Sequence, residues 1–152
     1  MALSMAGVRQ YQDLDCWRLA NELKLLVYEI IEHSAAKHDF DFRDQLRDAA
    51  SSGPSNISEA FGYYRHPDAA RFARIAKSSL TETHNHLCDG VDRKYWKADQ
   101  AAPLLALAKR AIGATTGWIR HLETSQTPEP YWKKQEQRLP ENEKPGSKRR
   151  RT

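Results

Sequence analysis

Three polar residues near the middle of the sequence, Arg47, Asn56 and Glu59, have side chains from which a small binding or catalytic site could be built. A guanidinium and a carboxylate can hold a charged ligand, but catalysis also needs a nucleophile and a base placed beside them. No such pair is evident in the surrounding run R-D-A-A-S-S-G-P-S-N-I-S-E. We therefore favour a structural interpretation, in which Asn56 and Glu59 bond backbone groups freed at Pro54 or pair with Arg47 across an interface.

The rest of the sequence contains few motifs that could bind a metal or a cofactor. The sequence contains no glycine-rich phosphate loop, no G-x-S-x-G elbow, no H-E-x-x-H pair and no cysteine pair at zinc spacing. His84 and Cys88 are four residues apart and would share a helix face, but two ligands do not complete a structural zinc site. We expect no catalytic residue, no metal and no cofactor, and we predict that the protein is not an enzyme.

Phosphate binding is the chemistry that the basic residues could supply. Arg71, Arg74 and Lys77 recur at helical spacing near Arg65, and Lys148–Arg151 form a basic run. A solvated face is the usual role of such a stripe, but contacts that displace counterions add up if several subunits repeat it. The candidate nucleic-acid-binding residues are Arg65, Arg71, Arg74, Lys77, Lys133, Lys134, Lys148, Arg149, Arg150 and Arg151.

The positive charge of the chain is unevenly distributed. The whole sequence has a formal net charge of +4, from 24 basic and 20 acidic residues. Eight of the basic residues and four of the acidic ones follow Thr124, so the entire excess lies there. Long-range attraction for nucleic acid would therefore come mainly from the C-terminal segment.

Apolar residues recur at steps of three and four along most of the chain, which predicts four helices. The first is capped by Asp13, and the second is capped by Asp41 or a neighbour and ends near 62–66. The third begins at Pro67 and stops at Gly90. The fourth is capped by Asp99, and it tolerates Pro103 only in its first turn.

The second predicted helix contains Pro54. A proline in a helix interior costs about 3 kcal/mol, because it removes one backbone hydrogen bond and clashes with the carbonyl four residues earlier. The apolar period nevertheless stays in phase on both sides of Pro54. We predict one long helix kinked at Pro54, with small residues at 49–53 that let another helix approach. The alternative is a loop at Gly53-Pro54.

Four amphipathic helices joined by short connections indicate an all-α fold, an antiparallel up-down-up-down four-helix bundle. We assign residues 1–12 to a flexible N-terminus, 13–124 to the bundle, and 125–152 to a basic, proline-rich, disordered tail. Tyr131 and Trp132 are the large apolar residues of that tail, and they either dock on the bundle or stack on a partner. No apolar run could span a membrane and only two cysteines are present, so we expect a cytoplasmic protein with no membrane partner.

Three sequence blocks also carry a family resemblance. They are Y-Q-D-L-D-C-W-R-L-A (11–20), Q-L-R-D-A-A-S-S-G-P-S-N-I-S-E-A-F-G (45–62) and R-F-A-R-I-A-K-S-S-L-T-E (71–82). Together they resemble the bacterial four-helix-bundle family whose best-known members are encoded in intervening sequences of 23S rRNA genes. Gly53 and Ala60 depart from the family pattern, which usually has an apolar residue and a glycine there.

The resemblance implies a homopentamer, a ring-like hollow barrel of five bundles, with no known enzymatic activity. It also implies an architecture similar to the accessory protein of diversity-generating retroelements, which binds RNA and a reverse transcriptase. The first hypothesis is therefore a non-enzymatic RNA-binding ribonucleoprotein accessory factor. The alternatives are a protein-interaction scaffold or reverse-transcriptase accessory protein and, least favoured, an enzyme built on Arg47, Asn56 and Glu59. For subunit contact, the sequence predicts an apolar surface that includes Phe61, Ala69, Ala73 and Ile75.

Overall fold

The computed structural model describes residues 7–128 and the isolated positions 138 and 140. Within this part the chain is all-α, with no strand. Four long helices follow one another: α1 (Asp15–Glu32), α2 (Phe40–Gly62), α3 (His66–Asp92) and α4 (Ala98–Thr124). Short 3-10 turns at Tyr11–Asp13 and Ala35–His38 precede α1 and α2. The prediction of a four-helix all-α protein is confirmed.

The four helices enclose one hydrophobic core. α1 packs against α2 and α4, and α3 packs against the same two helices, so α1 and α3 lie across the core from each other. The apolar stripes predicted from periodicity face inward, and the largest fully buried side chains include Leu23, Val27, Ile31, Leu46, Ile57, Leu80 and Leu87. Ala69 and Ala73 are only 2% and 0% exposed. They are therefore core residues, and the prediction that they form an exposed interface is wrong.

Two aspartates play different roles from those predicted. Asp13 does not cap α1, because its carboxylate accepts hydrogen bonds from the backbone N–H of Arg9 and Gln10, at 2.9 and 3.2 Å, and closes the preceding 3-10 turn. α2 begins after Asp39 rather than Asp41, and Asp39 Oδ1 accepts from the backbone N–H of Phe42 at 3.3 Å. Asp41 lies in the first turn, where a negative charge is still favourable.

α2 continues without a break through Pro54, so the loop alternative at Gly53-Pro54 is wrong. Both residues are buried. A Cβ atom on Gly53 would lie 3.0 Å from Leu80 Cδ2, so the missing side chain allows α3 to pack closely here. The tight packing of α3 on this segment provides burial that offsets the lost backbone bond.

The prediction that α3 stops at Gly90 is wrong, and the connection to α4 shows why. The helix runs on to Asp92, and the left-handed residue of the turn is Lys94, with φ 62°. Gly90 instead leaves room for a side chain, since a Cβ there would lie 2.0 Å from Trp96 Cζ2. The indole N–H of Trp96 donates to the carbonyl of Leu87 at 3.0 Å, which fixes the ring over the helix.

α4 begins at Ala98, with Asp99 in its first turn rather than at the cap. Pro103 lies inside the helix in the second turn, so the prediction that it is tolerated only in the first turn is wrong. Proline has no N–H to donate to the carbonyl of Asp99, and burial along α4 must offset that loss. Over residues 7–128, no helix is long and apolar enough to cross a membrane.

Candidate nucleic-acid interface

The three polar residues of the central motif do not form one site. The Arg47 guanidinium lies over the ring of Tyr28 on α1, with Cζ 5.0 Å from the ring centroid. Asn56 bonds within α2, where its amide donates to the Ser52 carbonyl at 2.8 Å. Glu59 is exposed and has no ion-pair partner within the described part of the chain. The three side chains contact different groups, and across residues 7–128 no hydrogen bond or ion pair joins them.

Asn56 instead belongs to a hydrogen-bond network that connects α2 to α3. Its amide also donates to Ser52 Oγ at 2.9 Å, and Ser52 Oγ lies 2.8 Å from Ser79 Oγ. Ser79 Oγ donates in turn to the carbonyl of Ile75 at 3.1 Å. Asn56 therefore bonds the carbonyl of Ser52, not that of Ala50, which is the one freed by Pro54. These hydrogen bonds pair polar groups that the close approach of α2 and α3 would otherwise leave buried and unpaired.

The two cysteines differ in their surroundings, since Cys16 is buried and Cys88 is half-buried. Cys88 Sγ lies 3.9 Å from His84 Nδ1, and residues 7–128 contain no group of three or more side chains that could hold a metal ion. Burial raises the pKa of the Cys16 thiol to about 12, so this side chain stays protonated near neutral pH. Both cysteines are free thiols.

The turn between α2 and α3 presents aromatic rings beside guanidinium groups. We call Tyr63, Tyr64, Arg65 and Arg71 the corner patch; all four are exposed. Tyr63 stacks on Phe72, with ring centroids 4.9 Å apart and an interplanar angle of 13°. Arg71 Cζ lies 5.9 Å from the centroid of the same Phe72 ring. Tyr64 is 50% exposed, so this ring is available for stacking.

The charges of the corner patch are accessible to a ligand. Arg65 is the residue before α3, its side chain is 73% exposed, and its contact with Asp68 is a loose 3.9 Å. Such an exposed pair contributes little and is easily exchanged for another anion. Within the described residues, Arg71 has no ion-pair partner. The patch thus combines rings that can stack with cations that can bind phosphate.

The structure separates Arg74 and Lys77 from the corner patch. Arg74 Nη1 lies 2.7 Å from Glu123 Oε1 of α4, and part of its charge is therefore compensated. Arg74 and Lys77 line an open groove of about 900 Å³ between α3 and α4. Of the predicted basic stripe, Arg71 lies over Phe72, the ring on which Tyr63 stacks, whereas Arg74 and Lys77 face α4. Sequence reasoning missed Tyr63, although its place beside Tyr64 and Arg65 was a visible signal.

The chain after α4 returns to the beginning of α3, next to the corner patch. Thr127 Oγ1 accepts a hydrogen bond from the backbone N–H of His66 at 3.0 Å. Ser125 Oγ lies 3.0 Å from His66 Nδ1, and Pro128 lies against the same cavity as Tyr63 and Tyr64. The remaining predicted basic residues, Lys133, Lys134, Lys148, Arg149, Arg150 and Arg151, fall outside the described residues, as do Tyr131 and Trp132.

Comparison with known proteins places the fold in a family. Residues 12–116 match the family model described as 23S rRNA-intervening sequence protein. The match spans about two thirds of the chain and includes α1, α2, α3 and most of α4, with the corner patch. No curated protein sequence matches the chain. The resemblance seen in the three sequence blocks is therefore confirmed, and the chain belongs to the 23S rRNA-intervening sequence protein family.

Proposed function

We propose that this protein binds RNA as a non-enzymatic accessory factor of a cytoplasmic ribonucleoprotein, and that the corner patch is its folded binding surface. The observation that carries the proposal is the exposure of Tyr63 and Tyr64 next to Arg65, with Arg71 over the Phe72 ring on which Tyr63 stacks. The basic C-terminal segment leaves the helices beside this turn. The family description refers to intervening sequences of 23S rRNA, which makes RNA the nucleic acid to test first.

The chemistry of the corner patch favours single-stranded regions. An unstacked base can lie on an exposed tyrosine ring, and the neighbouring guanidinium groups can bind the phosphates on either side. Phosphate contacts position the strand but carry little sequence information. The C-terminal segment, which holds the excess positive charge, would add affinity without regard to sequence. Binding should therefore be strongly salt-dependent and only weakly sequence-selective.

We further propose that the helices alternate in direction as an antiparallel up-down-up-down bundle, with α2 bent at Pro54. Two end-to-end contacts support the alternation. Asp39, before α2, lies 3.2 Å from Arg93 Nη1, after α3, and His66, at the start of α3, contacts Ser125, after α4. Each contact joins the beginning of one helix to the end of a later neighbour.

Assembly into a homopentameric ring is the second part of the proposal. Leu25 on α1 is 55% exposed and Ile75 on α3 is 41% exposed, and these helices lie on opposite sides of the core. Apolar contacts on opposite sides of one subunit suit a head-to-tail interface, which generates a ring when the rotation closes. A ring would repeat the corner patch in every subunit, so that weak phosphate contacts add up.

The experiment compares charge-reversal variants of the full-length chain. A fluorescently labelled single-stranded oligoribonucleotide is titrated, with anisotropy recorded from low to high salt. We expect Arg65→Glu/Arg71→Glu to weaken binding and to reduce the slope of log affinity against log salt by roughly 0.7 for each phosphate that the protein no longer neutralises. Arg110→Glu, an exposed change in the middle of α4, is the control and should alter neither quantity.

The outcomes separate the possible binding surfaces. Loss of binding only when Lys148–Arg151 are removed would make the tail the sole RNA-binding element and would overturn the role of the corner patch. No binding by the unmodified protein at low salt would refute the RNA-binding function. If charge reversal instead dissociated the oligomer, as measured by native mass spectrometry, Arg65 and Arg71 would belong to a subunit contact, and the scaffold alternative would be favoured.

A further inference from the structure

A cavity of about 340 Å³ opens between the end of α2, α4 and the chain that follows α4. The rings of Phe61, Tyr63 and Tyr64 form one part of its lining, and Trp118 of α4 forms another. The volume lies at the lower end of the range typical of small-ligand sites. Because the lining is mostly apolar, an apolar group that entered the cavity would remove apolar surface from water.

The chain itself leads to the rim of this cavity. Pro128, where the continuous described segment ends, is one of the lining residues. Two contacts at the start of α3 hold the residues just before it. The backbone N–H of His66 donates to Thr127 Oγ1 at 3.0 Å, and Ser125 Oγ lies 3.0 Å from His66 Nδ1. The sequence that follows Pro128 therefore starts at the cavity.

An apolar anchor follows Pro128 within reach of the cavity. The large apolar residues in the rest of the sequence are Tyr131, Trp132 and Leu139. The four residue steps from Pro128 to Trp132 can span up to about 14 Å. Glu129 precedes a proline, which favours extended backbone. In an extended chain, side chains four residues apart share one side, so Trp132 would face the cavity with Pro128 and Tyr131 would face away.

We propose that the indole of Trp132 occupies this cavity, so that the protein's own C-terminal segment is the occupant. An indole buries a large apolar area and packs well against other aromatic rings. Docking there holds Lys133 and Lys134 beside the corner patch, where their charges add to those of its two arginines. Tyr64 can contact the indole with one face of its ring and a base with the other. This inference rests on the proposed RNA-binding function and joins the tail and the folded surface into one site.

Fluorine NMR of the full-length protein labelled with 5-fluorotryptophan tests the docking without RNA. The sequence contains four tryptophans, and the signal of Trp132 is assigned by its loss in Trp132→Phe. We expect this signal to differ in position from that of the urea-unfolded protein and to be protected from a soluble gadolinium chelate. A Trp132 signal at the unfolded position, broadened by the chelate as strongly as in the unfolded protein, would refute the docking.

Glycine substitutions show whether the indole lies in this cavity. A Cβ atom on Gly62 would meet nothing within 4 Å, although Gly62 lines the cavity. Gly62→Leu should therefore keep the fold while its side chain obstructs the rim, and the Trp132 signal should lose its protection. Gly113→Leu is the matched control, because a Cβ at this exposed position of α4 also meets nothing within 4 Å. Circular dichroism verifies that both variants stay folded.

Three results would contradict docking of Trp132 in the cavity of its own chain. Full protection of Trp132 in Gly62→Leu would place the indole elsewhere on the protein. Release of Trp132 in Tyr131→Ala, which should leave the signal unchanged, would make Tyr131 the anchoring ring. Protection that disappears at dilutions where native mass spectrometry detects only monomers would show that the indole comes from a neighbouring subunit.

The anisotropy titration with single-stranded RNA measures what the docking contributes to binding. Trp132→Ala and Gly62→Leu should each weaken binding, because Lys133 and Lys134 are no longer held beside the corner patch. The double variant should bind no more weakly than Trp132→Ala alone, since both changes release the same indole. Additive losses, or unchanged affinity in both single variants, would overturn the joining of tail and corner patch. No RNA binding by a protein whose Trp132 stays protected would refute the proposed function and support the docking.

Discussion

Replacing Gly90 by alanine should destabilise the protein, although alanine is normally the better helix residue. The added Cβ would lie 2.0 Å from Trp96 Cζ2 and 2.3 Å from Cε2, distances at which one group must move. Trp96 is 4% exposed and is held by its hydrogen bond to the Leu87 carbonyl. The indole therefore cannot move aside without disturbing both its packing and that bond.

The expected magnitude follows from three terms. Alanine gains up to about 1 kcal/mol over glycine through helix propensity. Overpacking a close-packed core costs about 1–3 kcal/mol, and the weakened Trp96 hydrogen bond costs about 0.5–1.5 kcal/mol. The net loss should be about 0.5–3.5 kcal/mol, which corresponds to a fall in melting temperature of roughly 1–14 °C for a chain of this size.

Urea denaturation followed by circular dichroism measures this change, and Gly113→Ala provides the control. Gly113 is an exposed glycine of α4 where the added Cβ meets nothing within 4 Å, so this variant should be as stable as the parent or up to about 1 kcal/mol more stable. If Gly90→Ala matched Gly113→Ala in stability, the packing role of Gly90 would be wrong.

Three further changes probe the helix ends, the proline and assembly. Hydrogen bonds from Tyr95 and from the Phe42 N–H, with the nearby Arg93 charge, hold the pKa of Asp39 below its usual range. The ionised carboxylate thus stabilises the fold above about pH 4, and this contribution is lost at lower pH. The free energy of unfolding of Asp39→Asn should therefore fall less steeply on acidification than that of the parent protein. Parallel curves of unfolding free energy against pH for the two proteins would contradict this. Pro54→Ala should keep the chain helical but impair assembly, and an unchanged mass by light scattering would remove the bend from the assembly proposal. Ile75→Glu should yield monomers in native mass spectrometry, whereas a monomeric parent at micromolar concentration would refute the ring.

Periodicity predicted the helices well because burial on one face dominates their energetics. The apolar pattern passed unbroken through Pro54, and the helix does so too. Periodicity could not specify helix ends, since several aspartates near each start can serve as a cap. At the start of α2, Asp39 and Asp41 are equally suitable caps by residue type, and only the three-dimensional path of the chain decides that Asp39 caps the helix.

Gly90 and Arg74 illustrate what one-dimensional patterns cannot contain. A glycine near a helix end suits either a left-handed turn or a close contact, and the sequence does not reveal that Trp96 folds back onto Gly90. Similarly, Arg74 and Arg71 look equivalent on a helical wheel. Glu123, which pairs with Arg74, comes from a distant part of the chain, so the division of the basic stripe required the tertiary structure.

Ultraviolet cross-linking of the full-length protein to RNA, followed by mass spectrometry of the linked peptides, locates bound bases without any substitution. Because aromatic side chains in contact with bases cross-link readily, we expect links at Tyr63 or Tyr64, in the segment just before α3, and further links in the C-terminal segment. RNA linked only to the exposed face of α1, or an absence of links under conditions where an established RNA-binding protein is labelled, would contradict RNA binding at the corner patch.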